Sequence, residues 1–161
     1  MIISMSGRQH LPLLTIKRIK EQSFFIDEIL LSDPSKEIRI EIGRNFGFAL
    51  NDNLVNLTLR IFYHYPESPH NILAEINVQN VFEVSNLNTF KISETEIILP
   101  KETIIKMVGE SISHARSLLA KNLFGTVLQE NLPGLIDPEE VASYFFPAMF
   151  QPETSELIRK I

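Results

Sequence analysis

The chain has 161 residues, 44% of them hydrophobic and 11 of them phenylalanine, enough for one domain with its own core. A formal net charge of -5 argues against a nucleic-acid partner, because phosphate binding needs a basic surface. The absence of cysteine removes disulfides and thiolate metal sites and fits a reducing compartment.

The opening residues, Met1-Ile2-Ile3-Ser4-Met5-Ser6-Gly7-Arg8, lack the basic segment and long apolar stretch of a signal peptide. No apolar run approaches the roughly 20 residues of a membrane helix. A cytoplasmic protein with no direct membrane insertion is expected. A first strand is predicted over Leu14 to Ile26, although its alternation is poor. Ile38-Arg39-Ile40-Glu41-Ile42 alternates apolar and charged residues, as a strand with one wet face does. Val55-Asn56-Leu57-Thr58-Leu59-Arg60-Ile61 alternates too and continues through Phe62-Tyr63. From Ile72 to Val84, Ile72, Ala74, Ile76 and Val78 share one face, with Glu75, Asn77 and Gln79 on the other. The turn-rich connector Pro66-Glu67-Ser68-Pro69-His70-Asn71 makes these last two runs an antiparallel hairpin.

The period then changes. Pro100 suits the first turn of a helix, and Ile104, Val108, Ile112, Ala115, Leu119 and Leu123 follow three-and-four spacing. Arg116 and Lys121 lie toward the end that favours cations, and Gly125 is the stop, for a helix of about 25 residues. A short second helix starts at Asp137-Pro138-Glu139-Glu140, with Asp137 as cap and Glu140 as the capping-box carboxylate, and stops at Pro147. Strands followed by helices give an α+β order in a single domain, 1–161, with a core over about 13–147 and flexible ends.

Chemistry-bearing constellations are scarce. Gly43, Gly47 and Gly109 do not form a phosphate-cradling loop. The histidines are His10, His64, His70 and His114. His64 and His70 flank one connector, but two imidazoles fall short of a zinc site, so no metal and no other cofactor is expected. Ser111 lies three residues from His114, with Glu110 as the only local carboxylate to orient the ring, and a polar helix face explains them better than a catalytic pair. Glu139 and Glu140 are explained by their place at a helix start. No catalytic residue is assigned and no enzyme is expected.

Two patterns keep a functional alternative. Gly109, Ser113, Ser117 and Ala120 put small residues along one side of the long helix, which suits either packing within the domain or a subunit contact. Phe24-Phe25, Phe46-Gly47-Phe48 and Phe145-Phe146 are clustered aromatics. Neighbours on a strand point to opposite faces, so one of Phe24 and Phe25 faces away from the core, whereas Phe46 and Phe48 share a face. Such spare aromatics belong to a second packing layer, a subunit interface, or an apolar groove for a flexible chain.

Several segments together resemble the SecB-type export chaperones. Ile98-Leu99-Pro100-Lys101-Glu102-Thr103-Ile104-Ile105-Lys106-Met107-Val108 resembles the entrance to the long helix of SecB, and Ser111 to Lys121 is similar to its more distant relatives. Leu132-Pro133-Gly134-Leu135-Ile136-Asp137-Pro138-Glu139-Glu140 resembles the family's Leu-Pro segment before the final helix. Ile16-Lys17-Arg18-Ile19 resembles the first strand, and Leu73-Ala74-Glu75-Ile76 through Val81-Phe82 the fourth.

The resemblance implies a four-stranded antiparallel sheet carrying one long and one short helix, and a homotetramer built as a dimer of dimers. It implies an ATP-independent chaperone that holds unfolded or non-native polypeptides in apolar grooves. The classical members pass clients to the SecA motor, and some relatives guard one partner such as an antitoxin. For the groove the candidates are Phe24, Phe25, Ile40, Phe46, Phe48, Leu118, Leu123, Phe145 and Phe146. For motor docking, Leu73 and Glu75 carry over; for the oligomer interface, Gly109, Ser113, Ser117 and Ala120 are the candidates. The sequence departs from the family at Ser155-Glu156-Leu157-Ile158-Arg159-Lys160-Ile161, where classical members carry an acidic tail. A non-catalytic oligomeric adaptor is the alternative from another class.

Overall fold

The structure, a computed structural model, describes residues 10–33 and 35–151. The opening segment read for a signal peptide and the segment Ser155 to Ile161 lie outside the described residues, as do residues 1–9 and 152–161 of the ends expected to be flexible. Four long strands, β1 (Leu14–Ile26), β2 (Arg39–Ala49), β3 (Leu54–His64) and β4 (Ala74–Val84), form one antiparallel sheet in the order β1-β4-β3-β2. A small hairpin, β5 (Lys91–Ser93) with β6 (Glu96–Ile97), precedes α1 (Lys101–Leu123) and α2 (Pro138–Phe145). The expected α+β class and the four-stranded antiparallel sheet with a long and a short helix are what the chain forms.

Alternation decides which face each side chain takes. Val55, Leu57, Leu59, Ile61 and Tyr63 of β3 are fully buried, as are Ala74, Ile76, Val78 and Phe82 of β4. This face packs on α1, whose buried stripe includes Ile104, Val108, Ile112, Ala115, Leu119 and Leu123. Each fully buried aliphatic side chain contributes about 1.5–3 kcal/mol, so this layer carries most of the fold's stability. The opposite face presents Asn56, Thr58 and Arg60 of β3 beside Glu75, Asn77 and Gln79 of β4.

The poor alternation of β1 has a physical cause. Its register against β4 slips between Ile16 and Arg18 and again between Glu21 and Ser23. Each extra residue switches parity, so Leu14, Ile16, Ile19, Phe24 and Ile26 all oppose helix-side partners. Strand β2 runs beyond the predicted alternation to Ala49; Arg44, exposed, takes the helix-side register between Ile42 and Phe46, where an apolar residue would have continued the pattern. Helix α1 begins one residue later than expected, with Pro100 as the flanking residue rather than in the first turn, and ends at Leu123, two residues before Gly125 at φ +80°. At α2, Asp137 caps by accepting from the Glu139 amide at 3.0 Å. The capping-box role expected of Glu140 is not formed among the described contacts; Glu139 instead pairs with Lys101 at 2.9 Å. Pro147 closes α2 and opens a 3-10 turn to Phe150.

Candidate functional site

An apolar groove lies beside the edge strand β2. The helix-side residues Arg44, Phe46 and Phe48 of β2 line it, with the Phe145-Phe146 pair, the turn Pro147 to Met149, and Glu96 and Ile98. It encloses about 290 Å³. The Phe46 and Phe146 rings meet edge to face at 5.0 Å, and Phe48 follows at 6.4 Å from Phe46. Arg44 fixes the junction: its Nε and Nη2 donate to the Phe145 carbonyl at 3.2 and 2.9 Å, and its guanidinium lies 4.7 Å from the Phe146 ring centre. A cation that saturates a carbonyl and covers a ring holds the end of α2 against β2 without filling the groove.

A second cleft of about 560 Å³ shares Phe145 with the first and is lined by Ile42, Leu135, Ile136, Val141 and Tyr144, together with Asp137 and Glu140. Leu135 is 97% exposed and Tyr144 80% exposed. The loop carrying Leu135 is pinned from two sides. Tyr63 donates to the Asn131 carbonyl at 2.7 Å, and Arg116 donates to the Pro133 carbonyl at 2.9 Å. A protruding leucine on a doubly tethered loop keeps a defined position while staying in water.

The sequence candidates divide accordingly. Phe46 and Phe48 line the groove half-buried, and Phe145 and Phe146 line it from buried positions. Ile40 is half-buried on the same side of β2. Phe24 and Phe25 sit on β1 at the opposite edge of the sheet, Phe24 toward the helices and Phe25 on the other face, 49% exposed. They therefore do not join the groove. Leu118 is half-buried on α1, whereas Leu123 is fully buried and belongs to the core. Arg44, Ile42, Leu135, Tyr144 and Met149 were not signalled. Arg44 breaks the alternation that would have exposed its role, and the others depend on which loop meets which strand.

Leu73, expected on a docking surface, is fully buried, with its amide donating to the Tyr63 carbonyl at 2.8 Å. Glu75 does lie on the polar face. It accepts from Arg60 at 2.6 Å and from Asn77 at 2.7 Å. The Arg60 hydrogen bond holds its carboxyl below the usual carboxylate range. Gly109 meets α2 of its own chain: a methyl there would lie 3.4 Å from two carbons of Pro138. The glycine thus serves packing within the domain, while Ser113 and Ser117 are exposed and Ala120 is half-buried.

The histidines have structural partners. His64 is 4% exposed, with its ring nitrogens 2.6 Å from Glu41 Oε2 and 2.9 Å from the Tyr65 carbonyl, whereas His70 is exposed. His114 Nδ1 lies 2.7 Å from Asn80 Oδ1, and Ser111 Oγ is buried without a hydrogen-bond partner, so Ser111 and His114 form no nucleophile–base pair. Among the described residues no helix is long and apolar enough to cross a membrane.

No protein-family description and no curated protein matches the sequence. Among solved structures, the chain is similar to the Rv1957 SecB-like chaperone of Mycobacterium tuberculosis, solved in complex with a ChAD peptide from the HigA1 antitoxin. The two share 9% identity at a TM-score of 0.41, over 76% of this chain and 83% of that one.

Proposed function

We propose that this protein is an ATP-independent holdase that binds non-native polypeptides along β2, with Phe46, Phe48 and Phe146 as the apolar contact surface. The observation that carries the reading is the aromatic groove beside a sheet edge. Edge strand β2 has one side unpaired in the four-stranded sheet. An extended segment can pair its backbone there while its side chains enter the groove and the neighbouring cleft. Many modest apolar contacts then accumulate over a long segment without requiring one sequence. The test is aggregation of a chemically unfolded client. Suppression near stoichiometric ratio, unchanged by added ATP, is expected; unaltered aggregation at excess protein rejects the reading.

A homotetramer in the cytoplasm completes the proposal. Its support is the second sheet edge, β1, where Ile16 and Ile19 are 41% and 43% exposed, with Leu13 just before the strand 73% exposed. An unpaired, partly apolar edge needs cover. Export through SecA is the weaker version, because Leu73 is buried and only Glu75 remains on the proposed docking face. General holding, or dedication to one partner such as an antitoxin, uses the same groove and needs no motor contact.

A further inference from the structure

We infer that the segment taken up along β2 carries two anchors, a bulky apolar residue and, four positions away, a lysine or arginine. The inference rests on the β2 reading proposed above and names the pattern that this edge selects. A strand laid along β2 faces it residue by residue, and side chains two apart share a face. Ile42, Arg44, Phe46 and Phe48 take the helix side, opposite the buried Ile61, Leu59, Leu57 and Val55 of β3. Ile42 lines the cleft of about 560 Å³, whereas Phe46 and Phe48 line the groove of about 290 Å³. Arg44 lies between them in register, fixed to the Phe145 carbonyl and the Phe146 ring. A partner residue opposite Ile42 and one opposite Phe46 are therefore four positions apart, about 13 Å along an extended chain. On the other face, a Cβ at Gly43 or Gly47 would meet nothing within 4 Å, so β2 leaves room there for any intervening side chain.

Charge sets the two anchors apart. The larger cleft has a mainly apolar lining that includes Asp137 and Glu140 and no lysine, arginine or histidine. Their neighbour Glu139 already pairs with Lys101 at 2.9 Å, whereas neither Asp137 nor Glu140 has an ion pair among the described residues. A lysine or arginine lays its methylene stem on such a lining and brings its cation to the carboxylates. A glutamate in the same place would add a third negative charge. In the smaller groove one acid, Glu96, is matched by one cation, Arg44, and the Phe46, Phe48 and Phe146 rings make it the place of the apolar anchor.

A series of fluorescein-labelled synthetic peptides tests this by polarisation at low salt. Each has a serine–threonine background with phenylalanine and, four positions away, lysine, in both orders. In one order the lysine peptide should bind about tenfold more tightly than its glutamate counterpart. Moving the lysine to three positions from the phenylalanine puts it on the other face and should abolish the preference. The double variant Asp137→Asn, Glu140→Gln should abolish it too, and asparagine still caps α2. Equal binding of lysine and glutamate peptides, a preference indifferent to spacing, or one that survives in the double variant overturns the inference. Binding of a carboxymethylated, permanently unfolded polypeptide separates this from the holdase reading. If that polypeptide is held while the peptides show no preference, the inference falls and holding stands. If neither is bound, both fall.

Discussion

Arg44 shows how one residue can both build a groove and hide it from a sequence reading. Its helix-side position interrupts the pattern of β2, yet its contacts with Phe145 and Phe146 bring the two aromatic clusters together. The clusters were legible as spare phenylalanines; their meeting was not, because it depends on a contact 101 positions apart. Phe48 and Phe146 separate binding from folding. Phe146→Ala removes a buried ring and should cost about 3–5 kcal/mol of stability, which obscures any binding effect. Phe48 is half-buried, so Phe48→Asp should fold and weaken client binding about tenfold or more, read by titration with an unfolded polypeptide. Glu75 behaves differently from a free surface charge. Glu75→Lys sets an ammonium beside Arg60 and removes two hydrogen bonds, so a loss of about 1 kcal/mol in urea unfolding is expected. Because the folded carboxyl titrates below its ordinary value of 4.5, its contribution is fully present above that value. It is lost as pH falls through the lower folded value. Glu75→Gln should therefore flatten the acid limb of the stability curve, and an unchanged acid limb would contradict this assignment.

At the scale of elements, the hairpin β3–β4 and the apolar stripe of α1 were readable because their side chains follow one unbroken period. β1 was not, since two bulges change its parity, and the short β5–β6 hairpin offers too few residues to show any pattern. The helix pair turns on Gly109. A methyl at that position reaches ordinary contact with Pro138, while replacing mid-helix glycine gains about 1 kcal/mol of helix propensity. Gly109→Ala should therefore leave stability equal or raise it by up to about 1 kcal/mol in thermal or urea unfolding. Gly109→Leu has no room and should lower it by about 1–3 kcal/mol by lifting α2. Since α2 carries Phe145 to the groove, the leucine variant should also lose client affinity. Equal stability for Gly109→Leu and wild type would show that α2 does not pack as described.

In the whole molecule one sheet face and two helices make a core, the second face is polar, and the two outer strands each have one side unpaired among the described residues, with different surroundings. The β2 edge borders the aromatic groove; the β1 edge borders a cleft of about 360 Å³ lined by Leu11, Leu13, Ile16 and Phe82. Light scattering at micromolar concentration should give a mass near four times the 18.4 kDa chain, and a monomer alone would remove the proposed assembly. Binding of a surface-apolar dye to the assembled protein separates a holdase from a filled structural oligomer, and strong binding is expected. The most direct test of the central claim uses the absence of tryptophan from this chain. A permanently unfolded client containing tryptophan is titrated with wild type and with Phe48→Asp, without nucleotide, and its emission followed. Saturable binding by wild type, weakened about tenfold or more in the variant, is predicted. Equal binding by both, or none by wild type, would contradict it.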